Sequence, residues 1–192
     1  MFRLGLDIDG CINDFSSLIY RYASFFSESH GIIKEIDMSD YLIERYFGWS
    51  EYMNNEFWTK NYKHALTNTV PLPCAVEVIS RLKGENVEID IITARREGLR
   101  EITINWLNRH GIPFDKLIMS REKAKACIES RIDLMIEDEP ENCEAISEHT
   151  TVLCMAYKYN ERLEGSNNLI RVSSWMEIYS EVIERIRAAQ TV

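Results

Sequence analysis

The sequence predicts an α/β fold, a doubly wound Rossmann-like parallel sheet with a small helical cap inserted after the first strand. Short apolar runs bounded by turn residues alternate with helical patterns along most of the 192 residues, as in parallel sheets covered by helices. Residues 15–70 interrupt this alternation with helical patterns alone, and they are too many for a loop. Polar side chains follow several apolar runs, where sheets of this kind carry their sites. We therefore expect a core of residues 1–14 and 71–192 and a cap of residues 15–70.

The composition is that of an ordinary globular protein, with 45% apolar and 28% charged residues. A formal net charge of -9 argues against binding to nucleic acid polymers, which rests on clustered Lys and Arg. The five cysteines are scattered without a Cys-x-x-Cys pair, which favours reduced, buried thiols. No basic segment followed by a long apolar run opens the sequence, and no later segment is long enough to span a bilayer. We therefore expect no membrane association and a cytoplasmic location. The oligomeric state stays open, with a homodimer among the candidates.

The first strand, expected over residues 2–8, is followed closely by two aspartates. Asp7 and Asp9 can lie on the same side of the chain because side chains alternate along a strand, and Gly10 lets the chain turn beside them. Two carboxylates a few ångström apart repel strongly unless a cation, a ligand or a proton separates them. Oxygen ligands without suitably spaced His or Cys favour magnesium over zinc. On this stretch alone, a solvated Asp-Gly turn is the remaining alternative.

The cap is expected to contain a helix over residues 15–26, a second after Met38 and a third over residues 51–62. Thirteen of the chain's 20 aromatic residues lie in residues 15–62. A small helical unit must build its own core, and large rings do so with few residues. We therefore expect most of these rings to pack inside the cap. They are Phe15, Tyr20, Tyr22, Phe25, Phe26, Tyr41, Tyr46, Phe47, Trp49, Tyr52, Phe57, Trp58 and Tyr62.

The rest of the core is expected to alternate between strands and helices. Pro73 suits the first turn of a helix that Gly84 ends, and Pro140 suits the start of another. The last helix begins with a capping box over Ser174–Glu177, and its apolar face is expected to close the core. The further strands are expected at residues 87–92, 116–119, 132–136, 151–155 and 169–172.

Four separate segments bring polar groups to one edge of the predicted sheet. Carboxylates can hold a metal ion there, a hydroxyl can bind an anionic oxygen, and a lysine can neutralise charge. Together these groups make a phosphate site in which one carboxylate can also be the nucleophile. The groups are Asp7 with Asp9, then Thr93, then Lys123, then Glu137 with Asp138.

The segments that carry these groups resemble the four ordered motifs of the haloacid dehalogenase-like phosphohydrolases, and the resemblance spans nearly the whole chain. Within that superfamily the sequence is most similar to the 5′(3′)-deoxyribonucleotidases of the cytosolic and mitochondrial type and their bacterial relatives. It departs from the vertebrate pattern at Ala94 and Arg95, where Ser and Pro are usual, and at Glu137, where Asp is usual. These departures leave the substrate open. The matching segments are Asp7-Ile-Asp-Gly-Cys-Ile-Asn-Asp14, Ile92-Thr93, Lys123 and Ile136-Glu-Asp-Glu-Pro-Glu-Asn142.

The resemblance implies a role for each of these side chains. Asp7 would attack phosphorus and form an aspartyl-phosphate, and Asp9 would protonate the leaving oxygen and later take a proton from water. A dehalogenase does not need this second acid, so Asp9 favours phosphate ester hydrolysis. Mg²⁺ would bind Asp7, the backbone carbonyl of Asp9 and Asp138. Thr93 and Lys123 would bind the phosphoryl group.

Two choices among basic residues remain open in the sequence. Lys125 competes with Lys123 for the phosphate, and Lys123 is preferred because its spacing before the fourth motif fits better. Arg95 or Arg96 can reach substrate, since both follow the phosphate-binding threonine. The alternative for each is a surface pair with a neighbouring glutamate.

We expect a Mg²⁺-dependent phosphomonoesterase, a 5′-nucleotidase whose partner is a small phosphate monoester and whose substrate is a (deoxy)nucleoside monophosphate. Phe47, Trp49 and Trp58 are candidates to leave the cap core and stack on a nucleobase. A cap over the site would exclude water and select the leaving group. The alternatives are a phosphatase of another small phosphate, such as a sugar phosphate, and a non-catalytic phosphate-binding regulator.

Overall fold

Six parallel strands form the centre of the computed structural model, which describes residues 1–190. Their order across the sheet is β3-β2-β1-β4-β5-β6, so the first strand lies in the interior. This architecture confirms the predicted doubly wound sheet, and the strand positions agree with the sequence to within two residues or so at each end. The strands are β1 (Arg3–Leu6), β2 (Glu88–Thr93), β3 (Lys116–Met119), β4 (Leu134–Glu137), β5 (Thr151–Met155) and β6 (Leu169–Val172).

Helices cover both faces of the sheet. Side chains of α4, α5 and α8 share one buried cluster with one face, and side chains of α6 and α7 share a second cluster with the other. Gly5 of β1 has no room for a side chain, because a Cβ there would lie 2.6 Å from the sulfur of Met135. The helices are α1 (Phe15–Ser29), α2 (Ile43–Phe47), α3 (Glu51–Asn68), α4 (Ala75–Gly84), α5 (Arg100–Arg109), α6 (Lys123–Ser130), α7 (Pro140–Ser147) and α8 (Trp175–Gln190).

Helices α1, α2 and α3 belong to residues 15–70, which we call the helical insert. The two ends of the insert lie side by side, since the Asp14 amide donates to the Val70 carbonyl at 3.0 Å and the Leu72 amide to the Ile12 carbonyl at 2.8 Å. The insert has its own buried cluster, rich in aromatic rings as its composition requires. Its buried members are Ile19, Tyr20, Ala23, Ile43, Tyr46, Phe47, Trp49, Phe57 and Ala65.

Local details differ from the sequence expectation at two helix starts. Pro73 lies before α4 instead of in its first turn, because Cys74 adopts a left-handed conformation with φ of 64° and the helix begins at Ala75. At α8 the Ser174 hydroxyl accepts from the Glu177 amide at 3.2 Å, as a capping box requires. The Glu177 carboxylate, however, accepts from the amide of Ser173 at 2.7 Å, one residue earlier than in the standard box.

Among the described residues, no helix combines the length and the apolar character needed to cross a bilayer.

Candidate active site

The carboxyl ends of β1 and β4 adjoin at the point where the strand order reverses, and this is the usual position of a site in a parallel α/β sheet. The amide of Asp7 continues the ladder by donating to the carbonyl of Ile136 at 3.0 Å. The chain then turns sharply, with the Ile8 carbonyl accepting from three following amides and Gly10 at φ of 87°. This turn brings Asp7 beside the end of β4.

Lys123, the first residue of α6, lies buried between two carboxylates. Its ammonium nitrogen is 3.0 Å from Asp7 Oδ1 and 2.7 Å from Glu137 Oε2. Burial alone would lower the pKa of Lys123, but the two carboxylates raise it well above its usual value. Burial raises the pKa of Asp7 to about 7, against the opposing effect of the lysine. Lys125, in contrast, has an exposed side chain whose nearest acidic partner, Glu122, is 4.0 Å away.

Asp138 brings a further carboxylate to this group. Ligand atoms of Asp7, Cys11 and Asp138 lie within 4.8 Å of one another, and all three residues are buried. The Cys11 thiol donates to Asp138 Oδ1 at 3.6 Å, and burial raises the pKa of this thiol. Burial, together with Glu137 and Asp7, raises the pKa of Asp138 well above its usual value.

Negative charge at this cluster exceeds what one lysine can balance. The ammonium group of Lys123 pairs with Asp7 and Glu137, and Asp138 is a third buried carboxylate beside them. A buried carboxylate without a counterion is costly. The carboxylates of Asp7 and Asp138 offer hard oxygen ligands, which suit a divalent cation such as Mg²⁺. The backbone also approaches closely, since a Cβ on Gly10 would lie 2.3 Å from Asp138 Oδ2.

Asp9 has a different set of partners from Asp7. Arg95 donates from Nε to Asp9 Oδ2 at 2.8 Å and from Nη2 to Oδ1 at 2.6 Å, and Asn13 Nδ2 donates to Oδ1 at 3.0 Å. The Arg95 side chain is only 1% exposed. The Arg95 guanidinium is therefore paired with Asp9 at the wall of the cleft and not with a glutamate at the surface. Contact between Arg95 and substrate stays a prediction. The arginine that pairs with Glu97 is Arg100.

Thr93 ends β2 at the same sheet edge and is buried, at 1% exposure. Its carbonyl accepts from the Ser120 amide at 2.9 Å, which ties the ends of β2 and β3 together. Its hydroxyl accepts from the Arg95 amide at 3.3 Å. The threonine therefore lies where the sequence placed it, next to the strand ends that carry the carboxylates.

A single cleft of about 1060 Å³ joins this sheet edge to the helical insert. Asp7, Asp9, Thr93, Lys123 and Asp138 line its core side. On the insert side an aromatic row lines it, with Trp58 and Tyr62 at a ring distance of 5.5 Å and Tyr62 and Phe15 at 6.3 Å. The cleft is large enough for a ligand with a planar ring and a phosphate.

Four tyrosines that the sequence analysis did not single out for the site line the cleft. Tyr20, Tyr41 and Tyr62 come from the insert, and Tyr159 follows β5. The Tyr159 hydroxyl donates to the carboxylate of Asp138, and its ring packs on Tyr157 at 5.0 Å and on Tyr41 at 5.4 Å. The position of Tyr159 just after a strand of the same sheet was the available signal.

Phe47 and Trp49 do not reach the cleft. They are 4% and 9% exposed and stack on each other at 5.6 Å inside the insert. The Trp49 indole donates to the Ser27 hydroxyl at 2.8 Å, so its polar atom is also satisfied there. This placement is at odds with the prediction that both contact a nucleobase, because the insert uses these rings as its own core. Of the three candidates, only Trp58 lines the cleft.

Comparison with known proteins gives consistent matches over the whole length. A model of the family described as "5′ nucleotidase, deoxy (Pyrimidine), cytosolic type C protein" matches residues 1–191. A protein of Halalkalibacterium halodurans with a provisional nucleotidase name is 30% identical over 192 residues, covering 96% of this chain and 94% of its own. A protein of Chlorobaculum tepidum provisionally named a 5′(3′)-deoxyribonucleotidase is 25% identical and covers 93% of this chain and 89% of its own.

Solved structures show the same fold at lower identity. A haloacid dehalogenase-like hydrolase of Streptococcus pneumoniae superposes with a TM-score of 0.68 at 15% identity, covering 95% of this chain and 98% of its own. A haloacid dehalogenase family hydrolase of Deinococcus radiodurans, solved with bound phosphate and sodium, gives 0.66 at 12% identity and covers 95% of each chain.

Proposed function

The chain belongs to the cytosolic type C 5′-nucleotidase family of the haloacid dehalogenase superfamily, and from this premise we propose that it hydrolyses (deoxy)nucleoside 5′-monophosphates with Mg²⁺ through an aspartyl-phosphate at Asp7. Membership of the family makes it a phosphoric monoester hydrolase. The metal, the covalent intermediate and the nucleotide substrate are the proposed parts.

One observation carries the proposal. The cleft that contains the buried Asp7–Lys123 pair is walled on its other side by the aromatic row of Phe15, Trp58 and Tyr62. A phosphate at the sheet edge and a base against these rings would fit one small ligand, since every nucleobase offers a flat face for stacking. We propose that the helical insert is the cap that selects the substrate and excludes water from the reacting group.

The residues at the sheet edge account for each step. Asp7 Oδ attacks phosphorus and forms a new O–P bond, while the bond from phosphorus to the leaving oxygen breaks with its electrons on that oxygen. Asp9 supplies the proton that the leaving oxygen needs and later takes one from the attacking water. Thr93 would donate a hydrogen bond to a phosphoryl oxygen, and Lys123 would offset its charge.

Asp7 and Asp138 would hold Mg²⁺, and the family resemblance implies the backbone carbonyl of Asp9 as a third protein ligand. The Asp9 side chain is paired with Arg95. When bound, the ion would neutralise the carboxylate cluster and part of the charge of the phosphate. Tyr159 would keep the Asp138 carboxylate oriented through its hydroxyl.

A sugar phosphate is the second candidate substrate, and hydrogen-bonding groups of α3 favour it. Asn54, Asn55 and Thr59 line the cleft near Trp58, and such groups suit the hydroxyls of a sugar. A phosphate-binding regulator without turnover is disfavoured because Asp7 and Asp9 are both in place. A cytoplasmic location remains a prediction.

A substrate panel tests the proposal. We expect phosphate release from deoxynucleoside or ribonucleoside 5′-monophosphates with Mg²⁺, loss of release in EDTA, and loss of at least about a thousandfold in Asp7→Asn. Asp133→Asn is the matched control, since this aspartate accepts from the Arg3 amide at the opposite end of the sheet. Turnover of sugar phosphates with inert nucleotides would contradict the nucleotidase assignment, and an active Asp7→Asn variant would contradict the covalent mechanism.

A further inference from the structure

We infer that Arg95 is a positioning residue for the reaction, which holds the Asp9 carboxyl group in the orientation from which it exchanges protons with the leaving group and with water. This inference rests on the proposed role of Asp9 as acid and base. The residue concerned, Arg95, lies two positions after Thr93, the last residue of β2.

Hydrogen bonds hold both the guanidinium group and the backbone amide of Arg95. Two of its guanidinium nitrogens bind the two oxygens of Asp9, and the third, Nη1, donates to the Thr103 hydroxyl of α5 at 3.2 Å. Its backbone amide donates to the Thr93 hydroxyl at 3.3 Å. A planar guanidinium that meets both carboxylate oxygens fixes the plane of the carboxyl group as well as its place.

Asp9 needs such a fixture. Its side chain is 21% exposed and follows a sharp turn, so without partners it could rotate freely at the cleft wall. Asn13 contributes a single hydrogen bond to one of its oxygens. Among the described residues, Asp9 is the carboxylate that pairs with Arg95, and Arg95 is the cation that pairs with Asp9. Asp9 and Arg95 are therefore each other's charged partner.

The link to the reaction follows from where the proton goes. Asp9 Oδ2 accepts one hydrogen bond, from Arg95 Nε, so its second lone pair can carry the proton of the acid. In the first step this proton moves to the leaving oxygen as the P–O bond breaks, and Asp9 becomes a carboxylate that keeps both hydrogen bonds to Arg95. In the second step that carboxylate takes a proton from water while the water oxygen bonds to phosphorus. Proton transfer depends steeply on distance and angle, so a loosened Asp9 slows it without changing how substrate binds.

A leaving group that departs without a proton does not need this positioning. An alkoxide, as from a nucleotide, requires the acid, whereas the p-nitrophenolate from p-nitrophenyl phosphate leaves readily by itself. Loss of Arg95 should therefore slow nucleotide hydrolysis more than aryl phosphate hydrolysis. A merely structural role would slow both substrates alike.

The experiment is a double-variant cycle of Arg95→Met and Asp9→Asn, read as the single-turnover rate of leaving-group release with enzyme in excess. With a deoxynucleoside monophosphate we expect this rate to be lower in Arg95→Met by about 10- to 100-fold, with the enzyme concentration that gives half the maximal rate changed by less than about threefold. With p-nitrophenyl phosphate we expect a loss below about threefold. In the Asp9→Asn background, Arg95→Met should have no further effect. Arg109→Met, at the exposed end of α5, is the matched control.

Two results would overturn the inference while leaving the proposed function intact. One is an equal loss of rate on both substrates in Arg95→Met. The other is a double variant whose rate is lower than that of Asp9→Asn by the same factor that separates Arg95→Met from the wild type. If Asp9→Asn itself turned over nucleotides normally, the acid and base role would fail together with the inference. Thr103→Val tests the positioning of Asp9 by Arg95 with a milder change. It removes one hydrogen bond of Arg95 and leaves the charges of Arg95 and Asp9 in place. It should show a smaller loss with the same bias toward the nucleotide.

Discussion

Replacing Lys123 with methionine removes the one ammonium group from the buried carboxylate cluster. At distances of 3.0 Å to Asp7 and 2.7 Å to Glu137, each attraction is about 5 to 6 kcal/mol at an effective dielectric constant of about 20. The cost of burying the charges offsets much of this attraction. Removing one partner from a buried ion pair typically costs about 3 to 5 kcal/mol, because the remaining carboxylates stay without a counterion. We therefore expect Lys123→Met to lower the free energy of unfolding by that amount.

Lys125→Met is the matched control, two residues along the same helix. Its ammonium group is exposed and 4.0 Å from Glu122, so its removal should change the free energy of unfolding by less than about 0.5 kcal/mol. Urea unfolding of the wild type and both variants at pH 7 in EDTA, followed by circular dichroism, gives the comparison. Adding Glu137→Gln to Lys123→Met should restore part of the lost stability. Equal stability of the two lysine variants would refute the reasoning about the cluster.

Three further predictions concern the metal site and the insert. Without metal, the free energy of unfolding should fall as pH rises from about 4 to beyond 7. The reason is that the folded state keeps a proton on Asp7 that the unfolded chain has released. A rise in the pKa of Asp7 from 3.8 to about 7 on folding corresponds to about 4 kcal/mol. Urea titrations in EDTA at several pH values measure this slope. Asp7→Asn should reduce the slope without abolishing it, because burial also raises the pKa of Asp138. A flat wild-type profile would argue against this prediction. Trp49→Ala should lower the free energy of unfolding by about 3 to 5 kcal/mol, because this ring is buried in the insert. Trp58→Ala should mainly raise KM, because this ring lines the cleft. Chemical unfolding and steady-state kinetics separate the two effects, and the reverse pattern would contradict the placement of the two rings. Gly10→Ala should raise the Mg²⁺ concentration needed for activity, because its Cβ would collide with Asp138, and an unchanged Mg²⁺ titration would disagree with the observed approach.

Much of the sheet edge could be predicted from the sequence, because the fold dictates where strand ends meet. Asp7, Thr93, Lys123 and Asp138 each follow or adjoin an apolar run, and parallel strands bring such positions to one edge. Lys123 rather than Lys125 lies at the cluster in the structure, in agreement with the spacing. Their catalytic roles remain proposals that the experiments above address.

The partner of Asp9 could not be predicted in this way. Arg95 and Arg96 are adjacent in sequence, and no local pattern shows which of them turns inward. The answer depends on Thr103, a helix residue eight positions later whose hydroxyl receives one arm of the Arg95 guanidinium. Contacts between side chains of separate helices and strands follow from tertiary packing. The periodicity of apolar residues along the sequence predicts the helices and strands but not these contacts.

The aromatic rings of the insert illustrate the same limit. Composition predicted that most rings would build a core, and Phe47 and Trp49 do so. Trp58 and Tyr62 are neighbours because they lie four residues apart on α3. That this face of α3 lines the cleft depends on how the insert packs on the core, which the local pattern does not contain. Tyr159 follows β5 and lies outside the insert, so the aromatic composition of the insert does not predict its place in the cleft.

The central claim is that Asp7 accepts the phosphoryl group of a nucleotide. The most direct measurement is peptide mapping by mass spectrometry after acid quenching of the enzyme during turnover of a deoxynucleoside monophosphate with Mg²⁺. We expect one phosphoryl group on the peptide that contains Asp7, removed by hydroxylamine and lacking in Asp7→Asn. A phosphoryl group on another residue, or rapid nucleotide hydrolysis by Asp7→Asn with no phosphorylated peptide, would contradict it.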